Sequence, residues 1–216
     1  MADLPLFPLP ETVVFPGMTL PLFIFEERYK AMVKDCLETQ NQRLVIVLAR
    51  PSARLNDGIV ATYEVGAYVD LMSVAENADG TFNILVHGQG RCRVKGIDAV
   101  SHPYYSVEEA AYPLERGDPN GEQVAAWDAL DVFRDYAKQT FAFDAMSQIG
   151  KAMPSDAVHQ ASFICANLRV PAASRQVLLD APSLIARFVL AQKLMQEQLT
   201  RHAAELTAQG RAERDN

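Results

Sequence analysis

Asp128, Asp131 and Asp135 recur at three- and four-residue spacing, which would align their carboxylates along one side of a helix. Carboxylates grouped in this way can hold a cation or divide acid and base roles. The solvated face of an amphipathic helix has the same spacing. Arg134 beside Asp131 softens the repulsion, so the solvated face is the simpler reading. Arg91, Arg93 and Lys95 alternate in sequence and would project from one side of a strand. They could grip a phosphate or an acidic partner. They equally suit the outer face of a strand whose other face carries Cys92 and Val94. Glu108 and Glu109 are adjacent in a strand-like run and so point to opposite faces, which removes them as a catalytic pair. His87 has no nucleophile near it in sequence and reads as structural.

Nucleotide and metal chemistry find little support. Gly150-Lys151 is superficially like the end of a phosphate loop, but Ala152 follows it and Ala145 stands where an earlier glycine belongs. There is no G-x-S-x-G turn. Cys36, Cys92 and Cys165 are scattered, as are His87, His102, His159 and His202, with no C-x-x-C or H-E-x-x-H. A structural zinc needs about four ligands at close local spacing. Neither cofactor nor metal is expected, and the cysteines read as reduced thiols. A formal charge of -7 over 216 residues argues against nonspecific nucleic-acid binding, which depends on Lys and Arg neutralising phosphates.

The elements that must position these residues change character along the chain. LPLF (4–7) and TLPLFIF (19–25) are short extended pieces joined through Phe15-Pro16-Gly17. The period then shifts to three and four: Phe25, Tyr29, Met32, Val33, Cys36 and Leu37 predict an amphipathic helix over 26–39. RLVIVLA (43–49) reads as a buried strand stopped by Arg50-Pro51. From 58 to 112 the pattern is β: a long strand or bent pair over 61–74, a hairpin turn at Asn77-Ala78-Asp79-Gly80, a returning strand over 81–98, and a last strand over 104–112. Gly88 and Gly90 should mark a bend or bulge where the sheet curls into a barrel.

The polar stretch 114–123 is the expected boundary, and helices follow it. Val124, Trp127, Leu130, Phe133, Ala137 and Phe141 predict one apolar stripe. Ser155 should cap a helix that turns Ala157, Val158, Ala161, Ile164, Cys165 and Leu168 inward. Pro171 opens a short helix, and Ser183 opens a long one with Leu184, Phe188, Ala191, Met195 and Leu199 on one face. The expected architecture is α+β, with a β-barrel at 1–113, a linker at 114–123, a helical bundle at 124–208 and a flexible tail at 209–216.

The opening is expected to be neither a signal peptide nor a membrane anchor. Its first basic residue, Arg28, follows the apolar stretch, whereas a signal peptide carries basic residues before it. Pro5, Pro8, Pro10, Pro16 and Pro21 break any membrane helix. A cytoplasmic chain is expected.

LPLFPLPETVVFPGMTLPLFIFEERYKAMV, DGTFNILVHGQGRCRV and LRVPAASRQVLLDAPSLIARFVLAQKLM together resemble the Lon protease N-terminal, substrate-binding domain over almost the whole chain. Two positions depart from the family's pattern: His87, often glutamate, and Cys92, often aromatic. No segment is similar to the ATPase module or to the serine-lysine dyad of full-length Lon, nor to the zinc domain that follows the Lon-like domain in cereblon. The resemblance implies a stand-alone domain with a PUA-like barrel followed by a helical bundle. It also implies a non-catalytic, ATP-independent role in recognising polypeptide, such as apolar segments of unfolded proteins. The expected surface is a concave apolar one where barrel meets bundle. PLFIF (21–25) and the methionines Met18, Met32 and Met72 are possible contributors. No residue is assigned a catalytic, cofactor-binding or metal role, and no binding residue is fixed. The alternatives are an adaptor or regulator acting in trans on a Lon-type protease, and RNA binding through the Arg91, Arg93 and Lys95 row.

Overall fold

The computed structural model describes residues 4–39, 42–54 and 60–212. In chain order the elements are β1 (Leu4–Leu9), β2 (Thr19–Ile24), α1 (Glu27–Glu38), β3 (Arg43–Arg54), β4 (Val60–Thr62), β5 (Val65–Glu76), β6 (Phe82–Asp98) and β7 (Ser106–Ala111). Then come α2 (Pro119–Thr140), α3 (Phe143–Ala152), α4 (Ala157–Asn167), α5 (Ala172–Asp180) and α6 (Leu184–Ala212). The α+β order of strands first and helices later is the one expected. The chain divides into two units: residues Met1–Pro113 with Val170–Asp180, and residues Leu114–Arg169 with Ala181–Asn216.

In the first unit the strands run β1-β7-β6-β5-β3, and a parallel β1–β3 pairing closes the ring. The 17-residue β6 is long enough to serve two neighbours on one side. Its first half pairs with β2 and its second half with β7, while β5 follows it on the other side. The handover lies at Gly88. A Cβ there would sit 2.3 Å from the Phe15 carbonyl oxygen, so only glycine lets the 13–18 segment cross so close. The pairing with β5 slips between Tyr68 and Val69, opposite Gly88 and Gly90, which is the expected bulge. The hairpin turn is also as expected, with Gly80 at φ 79°.

Helix α1 lays Tyr29, Met32, Val33 and Cys36 against Phe7, Ile24, Leu44 and Val69. Each fully buried apolar side chain of this kind contributes about 1.5–3 kcal/mol. Glu27 in its first turn complements the helix dipole. A second cluster packs Leu6, Val45, Val47, Cys92, Tyr105 and Val107.

Several details depart from the sequence reading. Strand β3 does not stop at Arg50-Pro51 but runs to Arg54. Past Leu48 it has lost β1 and past Ile46 it has lost β5, so Pro51 lies where only β4 pairs, at a register shift, a place where a proline is tolerated. Helix α5, expected in the bundle, groups with the first unit. Its Gln176 donates from Nε2 to the Val65 carbonyl at 2.9 Å, Arg175 donates to the Glu11 carbonyl at 3.1 Å, and the Leu179 carbonyl accepts from Arg91.

The second unit contains α2, α3, α4 and α6. Helix α2 begins at Pro119, inside the expected linker, because Asp118 caps it by accepting from the Gly121 amide at 2.9 Å. Its buried stripe is Glu122, Ala126, Ala129, Phe133, Tyr136 and Ala137, whereas Val124 and Trp127 are exposed. Small Ala126 and Ala129, not the bulkier neighbours, face inward, because α2 and α6 approach closely. Asp156, not Ser155, caps α4, accepting from His159 N–H at 3.0 Å. Ser183 does cap α6, accepting from the Ala186 amide. The expected tail is helical to Ala212, and 213–216 lie outside the described residues.

Candidate functional site

The charged constellations resolve into internal or solvated contacts. Asp131 pairs with Arg134 at 3.0 Å and Asp135 with Lys138 at 2.8 Å on the exposed face of α2. Asp128 is exposed beside them. Among the described residues no group of His, Cys, Asp and Glu is arranged to hold a metal ion. Gly150-Lys151 lies within α3.

Arg91 and Arg93 share one side of β6, but Lys95 does not continue the row. Arg91 is buried under α5, donating to the Leu179 carbonyl. Arg91 and Arg93 also lie against the Tyr112 ring, with centroid distances of 4.4 and 4.5 Å. Arg93 pairs with Glu64 at 3.0 Å. Lys95 is exposed at a register slip between Val94 and Gly96, which breaks the alternation the sequence suggested. A cleft of about 230 Å³ nearby is lined by Arg50, Tyr63, Glu64, Val65, Arg93 and Asp180. Burial raises the Asp180 carboxyl above its usual range, against the Gln176 hydrogen bond and the two arginines. Arg50 stacks on Tyr63 at 4.3 Å.

His87 meets Thr19 Oγ1 through Nδ1 at 3.1 Å. Glu109 accepts from the Tyr68 hydroxyl. Burial first, and then that carboxylate, push the Tyr68 phenol above its ordinary value.

The feature with most unsatisfied chemistry is apolar. On β2, Leu20, Leu22 and Ile24 turn inward, while Thr19, Pro21 and Phe23 are exposed. Register places Pro21 beside Leu85 and Ser73, and Phe23 beside Asn83 and Ala75, so these residues share the outer face of the β2-β6-β5 sheet. Phe23 is 56% exposed and Phe25 62% exposed, with rings stacked 6.1 Å apart. Met72, 61% exposed, stands at the β5 bulge between Leu71 and Ser73. Met32 is fully buried in the core and Met18 is half-buried, so of the three expected methionines only Met72 is strongly exposed. PLFIF had been singled out by its aromatics. The signal that Phe23 and Phe25 would face water was the alternation of Pro21 and Phe23 with Leu22 and Ile24.

Residues 3–197 match the family model of the ATP-dependent protease La (LON) substrate-binding domain. The chain belongs to the Lon substrate-binding domain family. Lon protease 2 of Desulfotalea psychrophila is 26% identical over 209 residues, covering 90% of this chain and 25% of that protein. A Lon protease of Escherichia coli strain K12 is 20% identical over 197 residues, covering 91% and 25%. The chain thus spans about a quarter of the length of these relatives. The N-terminal domain of a Mycobacterium avium complex Lon protease superposes with a TM-score of 0.70 at 16% identity, covering 90% of this chain and 98% of that one. A Lon N-terminal domain protein from Xanthomonas campestris gives 0.60 at 20% identity, covering 93% and 98%. This Lon domain shares their fold. Among its described residues no helix is long and apolar enough to cross a membrane.

Proposed function

We propose that this Lon-type domain is a non-catalytic polypeptide-recognition module that binds exposed apolar segments of unfolded proteins without ATP. The observation that carries this reading is the stacked, exposed pair Phe23 and Phe25 on the outer face of the β2-β6-β5 sheet. Single exposed apolar residues are ordinary. A contiguous patch marks a surface that gains from being covered. Membership of a substrate-binding family supports the same reading. The sequence had pointed to the meeting of barrel and bundle, but this patch lies within the first unit alone.

The test is fluorescence anisotropy of a labelled, permanently unfolded polypeptide titrated with this domain at physiological salt, with a labelled RNA in parallel. Saturable polypeptide binding is expected, with no RNA signal, because Arg91 and Arg93 are engaged within the first unit. No binding of polypeptide at any concentration reached would reject the proposal. A second reading, an adaptor for a Lon-type protease, draws on the kinship with Lon proteases. It predicts altered degradation rates when the domain is added in trans to a purified Lon protease.

A further inference from the structure

The backbone of β2 turns a defined set of groups away from the sheet. At its entry Gly17, with φ 82°, stands with Met18 opposite Gly88. The Gly17 amide donates to the Gly88 carbonyl at 2.8 Å, and the Gly88 amide donates to the Met18 carbonyl at 2.8 Å, the pattern of a bulge with glycine first. Antiparallel alternation then assigns Leu20, Leu22 and Ile24 to the bonded pairs with Val86, Ile84 and Phe82. Thr19, Pro21 and Phe23 therefore direct their backbone groups outward. Pro21, which has no N–H to give, falls in the outward set, as a proline in a paired strand must. Among the described elements β6 is the only strand that pairs with β2. The open edge offers the N–H and C=O of Thr19 and Phe23 and the C=O of Pro21.

We propose that this edge takes up an extended segment of another polypeptide as an added strand, with a basic residue at the end beside Glu26. The inference rests on the polypeptide-recognition reading and specifies its mode: main-chain pairing along β2, with apolar side chains of the segment laid over Phe23 and Phe25. Charge sets the preference at one end. Glu26 follows two residues after Ile24. Glu26 is exposed and has no ion pair among the described residues. Of the nearby cations, Lys30 is held by Glu27 at 2.6 Å, Arg28 lies over the Tyr105 ring at 5.2 Å and Lys34 lies over the Phe82 ring at 6.0 Å.

A second copy of the chain fits this edge less well. Any two-fold β2–β2 pairing meets both Pro21 residues and forfeits two amide donors, whereas a foreign strand forfeits one. Proline on the edge thus discourages self-association while leaving room for a guest.

The test uses a labelled peptide of alternating valine and threonine ending in lysine, and two versions N-methylated at every second residue in the two possible phases. Side chains are unchanged between the phases, and only the edge that can donate differs. Anisotropy should show the two phases differing at least tenfold in affinity. In the Glu26→Lys variant the preference should pass from a lysine-ended to a glutamate-ended peptide. Equal affinity of the two phases would overturn strand addition. So would failure of the parent peptide to bind while the unfolded polypeptide still binds, and in both cases the recognition reading would stand. Silence toward both peptide and unfolded polypeptide would overturn the two together.

Discussion

The hydrogen that Gly88 carries in place of a Cβ faces the Phe15 carbonyl oxygen, at a point where a methyl group would come within 2.3 Å. This contact lets β6 hand over from β2 to β7. Gly88→Ala must therefore push the 13–18 segment off the barrel. It should cost about 2–3 kcal/mol, read as a lower urea midpoint with an unchanged slope. Gly90→Ala, whose Cβ would find only the Tyr68 ring at 3.7 Å, should cost less.

The recognition reading predicts that Phe23→Ser with Phe25→Ser weakens binding of the unfolded polypeptide at least tenfold, about 1.4 kcal/mol. Because both rings are already in water, the melting temperature should move little. Anisotropy and a thermal melt on the same preparation check both halves.

Met32 and Met72 should separate sharply. Met32→Ala removes a fully buried side chain from between α1 and the barrel and should cost about 2–5 kcal/mol. Met72→Ala, at the exposed bulge, should stay within about 0.5 kcal/mol. Denaturant unfolding of the two variants decides it.

Glu122 should give the helical unit an acid limb. Its carboxylate accepts from Arg116 Nε at 2.9 Å and from the Gly117 amide at 2.7 Å. The arginine first, and then the amide, hold its pKa below the ordinary 4.5. A carboxyl whose folded pKa lies below its unfolded one contributes stability that is fully present above the unfolded value. That stability is lost as pH falls through the folded pKa. Glu122→Gln should cost about 1–2 kcal/mol at pH 7, and the gap to the parent chain should narrow below pH 4. Urea titrations at both pH values check the sign.

The three thiols should be inert in the folded chain. Burial pushes Cys36 up to about 11, and Cys92 and Cys165 up to about 12. At pH 8 almost no thiolate forms, and access is closed as well. An aromatic disulfide reagent at pH 8 should label none of the three natively and all three in denaturant.

Local rules carried much of this fold. The change from period two to period three and four announced α1, Asp79-Gly80 announced the hairpin, and Gly88 with Gly90 announced the bulge. Each is a property of a few neighbouring residues, so each was legible. The stripe of α2 was legible at Phe133 and Ala137 and misread at its start, for the same reason. Apolar spacing alone selected Val124 and Trp127, but the close partner helix selected the small Ala126 and Ala129 instead. Spacing cannot report the distance to a helix about 60 residues away.

The candidate site divides along the same line. The alternation in PLFIF and the prolines around it are sequence facts, and they determined that β2 would be an extended piece with one apolar face. Whether Phe23 faced water or core depended on which side of β2 the barrel closed. Among the described elements no strand pairs with the outward edge of β2, because β7 is taken by β6 and β1, and β1 by β7 and β3. Arg91 is the converse case. Alternation put it on a surface, and α5, arriving from 88 residues later, buried it. Local periodicity fixes conformation and facing. Only long-range packing decides which faces are covered, because covering a face depends on elements that sequence distance does not reveal.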